Sequence, residues 1–327
     1  MNKNIKVALA QIKVVSGDLE GNTNKIINGI KNAINESVDI VVFPELSVSG
    51  YNVGVLFEQE HFIEYQTKFI NEFILPKVPK NLVVILGCII SIGKKMDGSP
   101  NITNSLIVIQ DGKIINTYSK IFLAGKNHHE DFRYFTNGEH PVVTKVKINN
   151  RIINIGTVIC EDMWFADHER DIVHETALNN ADLIVSINQS YFYYGKQNIR
   201  RSICSNHALK NNIPFLSCNN VGVGDAGAKN MIIYDGGSMI VNNDGKIIKE
   251  AKRFEEDFLI VDFNEEIIEE SLKPYNKFEE IYNAIIYAQK EIFNDLGFKK
   301  ALVCVSGGLD SSVTLPIVVE AMGSENV

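Results

Sequence analysis

Ile152-Ile153-Asn154-Ile155-Gly156-Thr157-Val158-Ile159-Cys160-Glu161-Asp162 is an apolar run rich in β-branched residues that stops on a thiol and two carboxylates. The run reads as a buried strand. Its end puts Cys160 at the carboxyl edge of a sheet, where layered α/β folds bind ligands. Alone, such a Cys is more often a packing residue, because the thiol behaves as a small hydrophobe. Two other strand ends change that reading. Ile40-Val41-Val42-Phe43-Pro44-Glu45 delivers a carboxylate, and the strand Lys113 to Tyr118 runs into Ser119-Lys120, which delivers a cation. Separately, Glu45 would be an exposed loop acid and Lys120 a solvated lysine. Together, the three suit cleavage of an amide C–N bond. A thiol attacks as thiolate, a carboxylate takes its proton and returns it to the departing ammonia, and an ammonium stabilises the oxyanion.

Outward from these ends, short apolar runs alternate with helical stretches. Val7 to Gln11, Ile40 to Phe43, Val83 to Gly87 and Leu183 to Ile187 read as strands; Lys25 to Asn35, His168 to Asn180 and Gln197 to Asn211 read as helices. Asp111-Gly112 and Asp244-Gly245 each lie between apolar runs, a two-residue hairpin signal, with Asn149-Asn150 a weaker one. Hairpins within an alternating pattern predict layered α/β architecture with mixed sheets.

Near residue 262 the composition shifts to the charged stretch Asn264 to Pro274, which reads as a linker or a departing helix. An amphipathic helix is expected from Phe278 to Leu296, with Gly297 as its C-cap. The strand Ala301 to Val305, the loop Ser306-Gly307-Gly308-Leu309-Asp310-Ser311-Ser312 and a helix from about Ser311 to Met322 follow. Glycines let the backbone approach a ligand, and loop N–H groups with a helix N-terminus favour an anion. The loop is not a Walker A motif, because no Gly-Lys-Ser/Thr follows at the required spacing. It resembles the pyrophosphatase loop of the N-type ATPases. One strand–loop–helix cannot cover both faces of a sheet, so a longer parent protein is expected, with the segment after about Pro274 poorly ordered or displaced.

The 327 residues allow a large core and more than one domain. A net charge of −8 argues against broad nucleic-acid binding. No apolar run reaches membrane-spanning length and the N-terminus lacks a signal-peptide core. The five scattered cysteines form neither a disulfide framework nor a zinc spacing. A cytoplasmic location is expected.

With all segments in order, the chain resembles the nitrilase, or carbon–nitrogen hydrolase, superfamily. The resemblance rests on Phe43-Pro44-Glu45-Leu46 with Gly50-Tyr51, on Tyr118-Ser119-Lys120 with Arg133-Tyr134-Phe135 and Gly138, and on Gly156 to Trp164. Ile187-Asn188-Gln189-Ser190 with Gly195-Lys196, Asn219-Asn220-Val221-Gly222 and Tyr234-Asp235-Gly236-Gly237-Ser238 are similar to the glutaminase domains of glutamine-dependent NAD synthetases. The resemblance covers essentially the whole chain.

It implies a nitrilase-like α-β-β-α sandwich over residues 1–270. Residues 271–327 would be a linker and the first β-loop-α element of a Rossmann-like N-type ATP pyrophosphatase domain. It makes Glu45 the general base, Lys120 the oxyanion stabiliser and Cys160 the nucleophile. Lys126, Ser190 and Lys196 would bind glutamine, and Ser306, Gly307, Gly308, Leu309, Asp310, Ser311 and Ser312 would bind ATP with Mg²⁺. No metal site is expected within the chain. The implied activity is that of a ligase: ammonia from L-glutamine amidates nicotinic acid adenine dinucleotide to NAD at the expense of ATP. A homo-oligomer is implied, with no nucleic-acid or membrane partner. Departures from the family pattern are Lys126 in place of Tyr, Gln189 and Tyr191 flanking Ser190, Asn52 to Val55 in place of a proline-containing stretch, and an insertion-like stretch from Gly224 to Asn230. His128 and His129 nearby read as surface or interface residues. The competing readings are a stand-alone nitrilase-type amidase or carbamoylase, opposed by the Ser306–Ser312 loop, and a non-enzymatic scaffold, opposed by the retained Glu45, Lys120 and Cys160.

Overall fold

Strand alternation sorts the apolar residues onto two faces, and the computed structural model shows what each face meets. It describes residues 5–125, 129–164, 168–226, 230–263 and 276–327. The first sheet contains β1 (Lys6–Gln11), β2 (Ile40–Val42), β3 (Val83–Lys94), β4 (Pro100–Gln110), β5 (Lys113–Ser119) and the late strand β14 (Asp257–Asp262), in the order β14-β1-β2-β3-β4-β5. The second contains β6 (Val142–Ile148), β7 (Arg151–Ile159), β8 (Leu183–Asn188), β9 (Phe215–Asn219), β12 (Met239–Val241) and β13 (Ile247–Glu250), in the order β13-β12-β9-β8-β7-β6. Each sheet has three parallel strands at its centre, β1-β2-β3 and β7-β8-β9, with antiparallel flanks. The mixed sheets expected from the hairpin signals are therefore present. A separate ribbon pairs β10 (Val221–Ala226) with β11 (Asn230–Asp235).

Val7, Leu9, Val42 and Ile85 of the first sheet share one core with Ile155, Val185, Ile187 and Leu216 of the second. Ala8, Ala10, Val41 and Phe43 face the other way, against α1 (Leu19–Asn35) and α2 (Glu60–Phe69). Beyond the second sheet lie α4 (Ile172–Leu178) and α5 (Lys196–Asn211), whose Ile172, Val173, Cys204 and Ala208 join the first core. The layers run α-β-β-α, as the resemblance implied. The single-turn helix α3 (Asp131–Tyr134) sits in the loops above the sheets.

Several boundaries differ from the sequence reading. α1 begins at Leu19, six residues earlier than Lys25, because Asp18 accepts the Gly21 amide at 2.8 Å and caps the first turn. α4 spans only Ile172–Leu178, with Asp171 capping it through the His174 amide at 3.0 Å. His168 is outside it, stacked on Phe122 at 3.8 Å and paired with Glu161 at 3.1 Å. Asn149-Asn150 proves a two-residue turn with both φ values positive, as does Asp111-Gly112. Asp244-Gly245 instead belongs to a longer connection closed by Asn242 and Lys246.

The segment after Pro274 also corrects an expectation. α6 (Lys277–Asp295) does not lie displaced; it packs on β10 and β11 with Ala284 and Ala288 buried. Asn276 caps it and Gly297, at φ +73°, follows its end. Lys13 anchors the far turn through Glu291 at 2.6 Å and Asp295 at 2.7 Å. Ala301 to Val305 forms no strand, since no segment among the described residues supplies ladder partners. The glycine loop then leads into α7 (Leu309–Met322), which packs on α6. The stretch 264–274 read as a linker, the boundary placed at residue 270, and Lys126 and His128 lie outside the described residues. Among the described residues, no helix is long and apolar enough to cross a membrane.

Candidate active site

The ends of β2, β5 and β7 meet at a buried charged cluster. Glu45, Lys120 and Cys160 are all buried. Lys120 Nζ lies 2.8 Å from Glu45 Oε1 and 2.8 Å from Asp131 Oδ2. An ammonium has three donors; two are taken by these carboxylates, and the third has no hydrogen-bond partner among the described residues.

Each member is held by backbone or by a buried amide. Asn104 donates to Glu45 Oε1 at 2.7 Å, and its carbonyl accepts the Lys120 amide at 2.9 Å. The Gln189 backbone amide donates to Glu45 Oε2 at 2.8 Å, and its side chain donates to the Glu45 carbonyl at 2.8 Å. Gly87 lets β3 pass beneath Glu45: a Cβ there would lie 2.2 Å from the Leu46 nitrogen. Asp131 accepts hydrogen bonds from Tyr51 Oη and, at 3.0 Å, from the Ala124 amide. Asp162 links two strand ends by accepting from Tyr118 Oη at 2.7 Å, the Phe122 amide at 2.8 Å and the Ile159 amide at 3.0 Å. Cys160 sits at φ +45°, a conformation that costs a non-glycine residue about 1–3 kcal/mol and clusters at functional sites.

Burial sets the protonation states. It pushes Glu45 above the usual carboxylate range, with Asp131 adding to the effect against the pull of Lys120. Burial also opposes the charge on Lys120, but Asp131 and Glu45 outweigh it and hold the ammonium well above its ordinary value. Cys160 is pushed up by burial and by the charge of Glu45, so the resting group is a thiol. Burial raises Asp162 to about 6.

Beside this cluster, Lys196 opens α5. It is only 7% exposed, and its Nζ lies 4.2 Å from the Tyr191 ring centroid, 5.0 Å from Tyr193 and 5.5 Å from Trp164. Among the described residues it makes no ion pair. Burial, with the charge of Arg200, lowers it to about 8. Ser190, just past β8, has a buried hydroxyl without a hydrogen-bond partner among the described residues. Thus the structure brings Ser190 and Lys196 to the same rim as Glu45, Lys120 and Cys160, while Lys126 lies outside the described residues. His129, read from the sequence as a surface or interface residue, is half-buried; its Nδ1 is 2.9 Å from Tyr51 Oη, and its ring is 4.9 Å from Tyr191.

Asp131, Asn104 and Asp162 were missed from the sequence as members of the cluster. Gln189 and Tyr191, read as departures, are structural parts of it: one braces Glu45 and the other covers Lys196. Polar residues within apolar strands, such as Asn104, were the available signal. The Ser306–Ser312 loop is largely exposed, unlike the cluster. Gly307 has φ +83°, and the Ser306 amide donates to Ser311 Oγ at 3.2 Å. Ser311 and Ser312 hydroxyls donate to the Gly308 carbonyl at 3.0 and 2.8 Å. Leu309 and Asp310 form the first turn of α7.

The carbon–nitrogen hydrolase family matches residues 6–271. The glutamine-dependent NAD(+) synthetase of Thermotoga maritima is 30% identical over 99% of this chain and 60% of its own length. That of Aquifex aeolicus is 29% identical over the same shares. The chain thus spans about 60% of the length of these relatives. A glutamine-dependent NAD(+) synthetase structure from Acinetobacter baumannii, in complex with ADP, superposes with a TM-score of 0.85 at 29% identity, over 99% of this chain and 59% of that one. An amidase from Nesterenkonia sp. shares the fold, with a TM-score of 0.66 at 20% identity over 80% of this chain and 91% of that one. The family match runs from the first strand through the last strand of both sheets and takes in every residue of the buried cluster; the chain belongs to the carbon–nitrogen hydrolase family.

Proposed function

We propose that this chain hydrolyses L-glutamine to glutamate and ammonia, and that in the whole protein the ammonia amidates nicotinic acid adenine dinucleotide to NAD with ATP. The observation that carries the glutaminase reading is Lys196. A buried ammonium without an ion-pair partner among the described residues, caged by three aromatic rings, suits an α-carboxylate. It lies close enough to Cys160 for its charge to favour the thiolate. The unpartnered Ser190 hydroxyl offers the substrate a further hydrogen bond.

Residues 1–270 are assigned to the glutaminase and 271–327 to the start of the synthetase. Cys160 Sγ is the nucleophile. Glu45 takes the thiol proton as sulfur attacks the side-chain amide carbon, and the third N–H of Lys120 meets the oxyanion. Collapse of the tetrahedral intermediate expels ammonia, protonated by Glu45, and leaves a thioester. Glu45 then deprotonates the water that releases glutamate. The raised carboxyl of Glu45 suits both directions of transfer. ATP is assigned to Ser306–Ser312 by the likeness of loop and relatives. Asp310, the only carboxylate of that loop, fits a Mg²⁺ held mainly by phosphate oxygens.

Ammonia release from glutamine tests the reading. Lys196→Ala is expected to raise the glutamine KM about 100-fold with kcat within about threefold, the mark of lost uniform binding. Because Lys196 is depressed to about 8, its charge is lost as pH rises through that value, and kcat/KM for glutamine should fall there. A primary amide without an α-carboxylate should show no such fall; equal profiles for both would remove Lys196 from carboxylate binding. Glu45→Gln keeps shape but loses the base, so kcat should drop about 10²–10⁴-fold. Near-wild-type turnover with chemistry limiting would exclude it as the base.

A further inference from the structure

A chain of buried charges runs from α6 to the first turn of α5. Glu280 of α6 is 3% exposed, although it lies on a helix whose acids otherwise point to solvent or to Lys13. Its Oε2 accepts the Gly195 backbone amide at 3.1 Å, and its Oε1 accepts Arg253 Nη1 at 2.6 Å. Arg253 turns its other nitrogen atoms on Asp235 Oδ2, at 2.7 and 3.0 Å. The second oxygen of Asp235 holds Arg200, one turn into α5 from Lys196. Arg200 also donates to Gln197 Oε1 at 2.6 Å and to the Gly236 carbonyl at 3.0 Å.

Gly195 is the point at which this network bears on Lys196. It is the N-cap of α5, in the left-handed region at φ +80°, and no side chain of its own caps the helix. Its one amide hydrogen goes to Glu280, and the next residue is Lys196. Burying an acid on a docking helix is costly unless it is fully paired, and this one is paired to the element that carries the pocket cation.

We propose that Glu280 is a positioning residue for the amino-acid carboxylate: by holding the Gly195 amide and Arg253, it fixes the start of α5 and so aims Lys196 at the substrate. This rests on the glutamine reading above. It makes α6, which lies outside the two sheets and leads to the Ser306–Ser312 loop, part of the support behind Lys196. A helix packed only for stability would need no acid at this place; alanine, as at 284 and 288, would suffice.

The test compares Glu280→Ala and Glu280→Gln with wild type and with Tyr282→Phe, a control on the same helix that touches Glu320 of α7 instead. Two readouts are taken on folded protein. One is kcat and KM for glutamine; the other is the fluorescence of Trp164, the only tryptophan, against which Lys196 rests. Glu280→Ala is expected to raise KM about tenfold with kcat within about threefold, and to change Trp164 emission without any substrate. Glu280→Gln keeps an acceptor for Gly195 and should lie between Ala and wild type. Tyr282→Phe should leave both readouts unchanged.

A folded Glu280→Ala with wild-type KM and emission overturns the proposal, whatever its melting temperature. Should Glu280→Ala fail to fold, Glu280→Gln decides: KM raised at least twofold supports the role, and wild-type KM refutes it. If the wild type releases no ammonia from glutamine, the substrate reading fails, while changed Trp164 emission in the variants still places Glu280 behind Lys196. Unchanged emission would sink both.

Discussion

Cys160→Ala is expected to abolish ammonia release from glutamine, a loss on the order of 10⁴-fold or more, because neither Glu45 nor Lys120 can form the thioester. The fold should survive. Cys160 is small and buried at the edge of the core, and removing one sulfur atom leaves only a minor void. Alanine at φ +45° keeps the strain of the native turn. If the whole protein is the synthetase proposed above, synthesis from added ammonia should persist, since Cys160 is needed only to release ammonia from glutamine. Mass spectrometry after treatment with a glutamine-like chloroketone should find the adduct on Cys160. Cys88, Cys204 and Cys218 are also buried, and burial is the main cause that raises their thiols; among the described residues none of the three has a lysine ammonium acting on it, as Lys120 acts on Cys160. Appreciable turnover in Cys160→Ala, or an adduct on another cysteine, would remove the nucleophile from its role.

Lys120→Met should damage both chemistry and stability, by separable routes. Loss of the ammonium removes oxyanion stabilisation, roughly a 10²–10³-fold effect. It also strands Glu45 and Asp131 as neighbouring buried carboxylates. Breaking a buried pair in this way costs about 3–5 kcal/mol, and one carboxyl will take up a proton to relieve it. The double variant Lys120→Met/Asp131→Asn removes one charge and keeps one acceptor oxygen, for the Ala124 amide, while its NH2 group replaces the oxygen that accepted from Tyr51 and can donate to the Tyr51 hydroxyl instead. It should regain much of the lost stability and none of the turnover. Denaturant unfolding measured beside ammonia release checks this. Recovery of turnover in the double variant would show that Lys120 acts only as a counter-ion.

Strand ends were legible because the chain there obeys a simple code. Each end on Glu, Lys or Cys had a commoner reading by itself, as a surface or packing residue; the three together pointed to one site, and the strand–helix alternation around them pointed to the layered fold. Asn149-Asn150 and Asp111-Gly112 could be read for the same reason, since both residues of such a turn need positive φ. Helix starts were less legible. Asp18 and Asp171 decide them through single capping bonds, and nearby polar residues offer competing caps.

What the sequence by itself determined is therefore the chemistry available at each strand end and the period that buries one face of each strand. Only the tertiary structure decided which groups meet. Asp131 joins Lys120 from a separate loop, Asn104 reaches Glu45 from the middle of β4, and Gln189 braces Glu45 across the two sheets. Likewise, Glu280 lies 85 residues from the amide it accepts. Ala301 to Val305 shows the converse: its strand pattern is clear, yet no strand forms without a neighbour to complete the ladder. A side chain's pattern is a local property of the chain. Its partners, its burial and its charge state depend on contacts made far along the sequence, and folding alone brings those together.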